Sequence, residues 1–166
     1  MNKGSIPTQE RLNNFFNEEV NNYLENTRLN NNPEVTLKSV GHTILWACAL
    51  DESYKKQYSN YESLRKSDQK SEIVAGIRYA RNRAIHQFTQ LLYITEGAEF
   101  PALFPIPFFE IRWKEVADLP VPDKGHENKN LEEFYIKHLE NKPVRHAFED
   151  LKGYFERIES TYKCST

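Results

Sequence analysis

Residues 73–95 read IVAGIRYARNRAIHQFTQLLYIT. Ile73, Val74, Ile77, Ala84, Ile85, Phe88, Leu91 and Leu92 recur in it at the three- and four-residue spacing of an amphipathic helix. The spacing predicts one long helix, opened by Ser67-Asp68, running to about Thr95 and closed by Gly97 and Pro101. Toward the N-terminus, Leu12, Phe15, Phe16, Val20, Tyr23 and Leu24 mark a first helix from Thr8. Asn30-Asn31-Asn32-Pro33 stops it and starts a second, with Asn32 as N-cap and Pro33 at the first helical position. That second helix turns Leu37, Val40, Ile44, Leu45, Cys48 and Tyr54 inward. Toward the C-terminus, Pro101, Pro105, Pro107, Pro120 and Pro122 forbid a continuous helix through 96–130. Within that stretch Phe108–Trp113 reads either as a short strand or as an apolar loop. Asn130 to Glu133 resembles a capping box opening a fourth helix. Pro143 restarts a fifth, with Val144, Ala147, Phe148, Leu151, Phe155 and Ile158 on one face. The expectation is a single all-α domain over 1–166, a bundle of four to five helices with a Pro-rich irregular insertion at 96–130.

Composition narrows the classes. A chain of 166 residues with 39% hydrophobic and 28% charged residues reads as globular. It is long enough to bury roughly 70% of its unfolded surface without disulfides or metal. Lys plus Arg (22) against Asp plus Glu (24) gives a net charge of −2, so any polyanion site must be a local patch. Cys48 and Cys164 lie far apart with no CxxC, arguing against a disulfide framework or a thiolate zinc site. Nothing resembles a signal peptide, and no stretch approaches the roughly 18 apolar residues of a membrane span. The reading is no membrane and a cytoplasmic location.

The unusual chemistry lies in the quoted stretch. It contains no acidic residue, yet Arg78, Arg81 and Arg83 fall within six positions. At about 100° per residue, Arg81 points into the apolar face made by Ile77, Ala84, Ile85, Phe88 and Leu92. Tyr79, Asn82, His86 and Gln90 form the opposite stripe. A guanidinium on an apolar face is costly unless paired or facing an anion. Either it forms a buried salt bridge, with Asp51 or Glu52 of the second helix as partner, or it awaits a phosphate. The two are compatible, because a carboxylate can hold an arginine in place for a substrate. Arg65-Lys66 and Lys70 would extend the basic patch.

Arg81-Asn82-Arg83-Ala84-Ile85-His86 resembles the RxxxxH signature of the HEPN superfamily, with Asn at the polar position after Arg. The resemblance covers roughly residues 35–95. It implies a small helical bundle that acts as a metal-independent endoribonuclease, with no cofactor. Arg and His of two protomers would meet across a homodimer axis in one composite site. Arg81 would stabilise the pentavalent phosphate, His86 would transfer protons and Asn82 would orient one of them. Arg78, Arg83 and Tyr79 would bind RNA, supported by the acids Asp51 and Glu52. The resemblance also implies a toxin or phage-defence effector, with an antitoxin or a nucleotidyltransferase as candidate partner.

The residue chemistry gives its own reason for two chains. The reaction wants an acid and a base, and the motif supplies one histidine per chain. In a straight helix, Arg81 and His86 diverge by about 140° and about 7.5 Å, so convergence from two chains is the expected solution. Two other readings stand beside this one: a non-catalytic HEPN-like nucleotide- or RNA-binding or dimerisation module, and an unrelated helical bundle. His42, His126, His138 and His146 show no metal-ligand spacing and are expected to be solvated or capping. Cys48 on an apolar stripe is expected to be inert. Phe100, Phe104, Phe108, Phe109 and Trp113 are expected to plug the insertion onto the bundle rather than stack bases.

Overall fold

The computed structural model describes residues 9–28, 32–83, 88–96, 109–121 and 129–163. Among these the fold is predominantly α-helical: α1 (Gln9–Arg28), α2 (Pro33–Gln57), α3 (Tyr61–Ser67), α4 (Glu72–Arg83), α5 (Lys129–His138) and α6 (Val144–Lys163). A two-stranded antiparallel sheet, β1 (Leu92–Glu96) and β2 (Phe109–Trp113), completes it.

The first two helices follow the sequence closely. Phe16, Val20 and Tyr23 of α1 are buried, and Asn13 donates to Glu159 of α6 at 2.7 Å. Asn32 caps α2 by accepting from the Glu34 amide at 2.8 Å, and Pro33 takes the first helical position, where no amide hydrogen is needed. Val40, Ile44, Cys48 and Tyr54 are buried as expected, but Leu45 is exposed. Its place on the inner face goes to Ala47, Leu50 and, unexpectedly, Asp51. In α6, Val144, Ala147, Phe148, Leu151, Tyr154, Phe155, Ile158 and Tyr162 form one continuous buried stripe.

The long third helix expected over 68–95 is corrected. Asp68 instead accepts from the Lys70 amide and starts a 3-10 turn at 69–71. Among the described residues α4 covers Glu72–Arg83, residues 88–91 form a second 3-10 turn, and 92–96 are strand. Tyr93, Ile94 and Thr95 are aromatic or β-branched and suit a pleated surface. Pairing with β2 decides the matter. Leu92 lies opposite Trp113, Ile94 opposite Ile111 and Glu96 opposite Phe109. Phe109, Ile111 and Trp113 point inward while Glu110 and Arg112 alternate outward. Of the two readings of Phe108–Trp113, the strand holds over 109–113, and Phe109 and Trp113 belong to the core. The segment 97–108, with Phe100, Phe104 and Phe108, lies outside the described residues, as does 122–128.

The hairpin is tied to the helices through the α5–α6 turn. The Trp113 amide donates to the Lys142 carbonyl, and the Asn141 amide donates back to Trp113, both at 3.1 Å. Asn141 takes the left-handed conformation (φ 58°) that ends helices, which Asn tolerates better than most residues. Helix α3 and the 3-10 turn after it are additions to the expected count. α5 already includes Lys129, so Asn130 is inside the helix rather than its cap.

α4 and α5 approach closely at Gly76. A Cβ there would sit 3.1 Å from the Phe134 carbonyl oxygen and 3.4 Å from the Leu139 side chain. Glycine is needed for this contact, which seats the helix that carries the arginines.

Candidate functional site

The arginines of α4 divide between two faces. Arg78 and Arg81, three residues apart, share the side facing α2. Arg83, four residues after Tyr79, lies with its guanidinium carbon 5.3 Å from that ring's centroid. Tyr79 was expected on a polar stripe as an RNA contact. It is instead buried against Tyr135 and donates its hydroxyl to Glu132 of α5 at 2.7 Å. That correction follows from α5, whose packing covers the side of α4 that a lone helical wheel leaves to solvent.

On the α2 side a chain of alternating charges forms. Asp51 is fully buried. Its Oδ1 accepts from the Tyr61 hydroxyl at 2.7 Å, and the Tyr154 hydroxyl lies 3.0 Å from that of Tyr61. Its Oδ2 lies 3.4 Å from Arg65 Nη1 and 2.5 Å from Arg78 Nη2. The Arg78 contact is an ion pair off the hydrogen-bond direction, and its Nε and Nη2 are buried without another hydrogen-bond acceptor. Arg78 Nη2 is also 4.0 Å from Glu52, whose Oε1 accepts from Arg81 Nη1 at 3.3 Å. Arg81 turns back on its neighbour as well, with Nε and Nη2 donating to Asn82 Oδ1 at 3.4 and 3.3 Å. The order in space is therefore Arg65, Asp51, Arg78, Glu52, Arg81, Asn82.

The electrostatics follow from burial. Loss of hydration and the Asp51 charge both push the Tyr61 hydroxyl far up, so it stays a neutral donor to that carboxylate. Burial pushes Tyr154 up to about 12. Cys48, on the same face of α2, is pushed up to about 11 by burial, against the opposing pull of the Arg81 and Arg78 charges. A thiol held neutral in this way is a core group and not a nucleophile.

Of the expected site residues, the structure brings together Arg78, Arg81, Asn82, Asp51 and Glu52. It places Arg83 and Tyr79 on the α5 side. His86 lies outside the described residues. The about 140° divergence drawn for Arg81 and His86 therefore concerns a stretch outside the described residues. Arg65, Tyr61 and Tyr154 were missed as members of the cluster. The signal was present: Val40, Ile44, Cys48, Asp51 and Tyr54 keep a three- to four-residue spacing, so a carboxylate on that stripe demands buried partners. The remaining described histidines are structural or surface groups. His42 Nδ1 lies 3.2 Å from Glu19, and His138 Nε2 lies 2.8 Å from Glu72.

No known family model, curated protein or solved structure matches the chain. No described helix is long and apolar enough to cross a membrane.

Proposed function

We propose that this chain is a metal-independent endoribonuclease of the HEPN type, acting in the cytoplasm as a toxin or phage-defence effector. The observation that carries the proposal is the setting of Arg81. Its side chain is about one quarter exposed at the last turn of α4, five residues before His86, with its guanidinium steadied by Glu52 and Asn82. A guanidinium held by its neighbours and still open to solvent is ready to receive a phosphate without first losing rotamer freedom.

In the reaction the ribose 2′-oxygen attacks the adjacent phosphorus. The new O2′–P bond forms as the P–O5′ bond breaks, leaving a 2′,3′-cyclic phosphate and a 5′-hydroxyl. One His86 takes the 2′-hydroxyl proton, and the His86 of a second protomer donates a proton to the departing O5′. Arg81 offsets the charge that builds on the non-bridging oxygens. Asn82 and Glu52 are positioning residues for Arg81.

A non-catalytic RNA- or nucleotide-binding module is the second reading. It is favoured by the ion pair itself, since Glu52 already balances much of the Arg81 charge. Cleavage of total cellular RNA in EDTA separates the two. Wild type cleaves, while Arg81→Ala and His86→Ala do not, each with an unchanged circular dichroism spectrum. Glu52→Gln lowers kcat about tenfold and moves KM less than about twofold, because it misplaces Arg81 without removing it. A folded wild-type protein that leaves RNA intact favours the binding module. A strict Mg²⁺ requirement contradicts the mechanism.

A further inference from the structure

The register of the hairpin fixes which of its backbone groups stay open. In an antiparallel pair, residues bond across the ladder at every second position and turn their N–H and C=O outward at the others. The Lys114 amide donates to the Leu91 carbonyl at 2.9 Å, so Tyr93 with Arg112 and Thr95 with Glu110 are the bonded pairs. Trp113 turns the other way: its amide donates to the Lys142 carbonyl and its carbonyl accepts from the Asn141 amide. The α5–α6 turn thus occupies the outer edge of β2 at Trp113. On β1 the same alternation turns Leu92, Ile94 and Glu96 outward, and among the described residues no further strand or loop bonds to the Ile94 backbone. Ile94 lies opposite Ile111 on the inner face of the sheet, yet it is 40% exposed where Ile111 is 0%. The strand, LYITE, carries neither the lysine nor the proline that commonly guards an open edge.

We propose that β1 is a self-association edge: two copies of the chain join β1 to β1 antiparallel about a dyad at Ile94, turning two hairpins into one four-stranded sheet. Three features name a second copy as the occupant. β1 has five residues with Ile94 at the centre and facing outward, so a dyad there sets the whole strand in register. Ile94 then exchanges both backbone bonds with the partner's Ile94, whereas Tyr93 and Thr95 have already given theirs to β2. The strand also matches itself position by position. Ile94 meets the partner's Ile94, Tyr93 meets the partner's Thr95 as an aromatic against a β-branched residue, and Glu96 falls opposite the partner's Leu92, so no two acids oppose each other. Lastly, an isolated two-stranded sheet is marginal, and pairing both widens it and takes the exposed Ile94 surface out of water. The pairing stands on backbone geometry and does not rest on the ribonuclease reading, although that reading also needs two chains.

The test is sedimentation equilibrium of the full-length protein, wild type beside Ile94→Lys, from about 5 to about 200 µM because so short an interface is weak. Lysine at this exposed position keeps the hairpin and sets two like charges face to face across the dyad, and circular dichroism checks the fold. Wild type passes from the mass of one chain toward that of two as concentration rises, and Ile94→Lys needs at least about tenfold more protein to do so. Amide exchange in wild type locates the contact without a mutation. Exchange at Ile94 slows as the dimer forms, while exchange at Tyr93, already bonded to β2, does not change. Wild type that keeps the mass of one chain throughout overturns the proposal and leaves the edge to a strand of another protein. A dimer that survives Ile94→Lys, or that leaves exchange at Ile94 unchanged, overturns it as well and puts the dyad on another face. RNA cleavage by the same samples separates this proposal from the ribonuclease. A strand-paired dimer that leaves RNA intact removes the ribonuclease alone, and cleavage with β1 unpaired removes the strand pairing alone.

Discussion

Removing the Asp51 carboxylate tests whether the charge chain is a structural centre of the fold. Asp51 is 0% exposed, and its partners Arg65 and Arg78 keep only 17% and 21% of their side-chain surface. Asp51→Ala leaves two guanidiniums poorly hydrated and facing each other without a counter-charge. Breaking a buried pair from one side costs about 3–5 kcal/mol. The remaining exposure of both arginines lets water relieve part of this, which places the expected loss near 3 kcal/mol. Asp51→Asn keeps the shape and an acceptor for the Tyr61 hydroxyl but not the charge, and should lose about 2 kcal/mol. For a domain of this size a 3 kcal/mol loss lowers Tm by roughly 6–12 °C. Urea unfolding followed by circular dichroism at pH 7 measures it. Because the pair is buried, the difference between wild type and Asp51→Ala should change little between low and high salt. Tyr61→Phe serves as a control, at about 1–2 kcal/mol. It should cost less on an Asp51→Asn background than alone, since the two groups share a hydrogen bond. A loss below about 1 kcal/mol for Asp51→Ala, or one that vanishes in high salt, would refute the reasoning.

Gly76→Ala should destabilise by about 1 kcal/mol in a thermal melt, because overpacking against the Phe134 backbone outweighs the gain in helix propensity; a raised Tm contradicts the close approach of α4 and α5. Glu72 is held below its ordinary value of 4.5, first by the Lys137 hydrogen bond and then by that of His138. Its folded value is depressed, so its contribution is present above the unfolded pKa and is lost as pH falls through the folded one. Wild type should therefore lose stability below about pH 4.5 more steeply than Glu72→Gln, by less than about 1 kcal/mol given the exposed lysine, and parallel urea midpoints against pH would refute this. In a Cys164→Ser variant the remaining thiol, buried at Cys48 and pushed up to about 11, should resist iodoacetamide at pH 8 until urea is added; prompt labelling of the native protein contradicts its place in the core.

Local signals carried far where a helix stands on its own pattern. The Asn32-Pro33 start of α2 and the apolar stripe of α6, apart from Tyr154 and Tyr162, were legible in the sequence, because capping and periodicity act over a few positions. The strand at 92–96, where a helix was expected, was not. Leu91 and Leu92 satisfy a helical stripe and a strand alike, and only a partner strand some twenty residues away chooses between them. The site shows the same division. The acid-free arginine run and the pairing of Arg81 with a carboxylate of the second helix could be read from charge and periodicity. That Tyr79 faces α5, and that Asp51 gathers Tyr61 and Arg65, depends on which helices pack together. Such contacts join residues 10 to 53 positions apart and leave little local trace.

The most direct measurement is of the ends that wild-type and His86→Ala proteins leave on cellular RNA in the presence of EDTA. The account predicts 2′,3′-cyclic phosphate and 5′-hydroxyl termini from wild type and none from a folded His86→Ala protein. Cleavage that leaves 5′-phosphate ends, or that persists in His86→Ala, would contradict it.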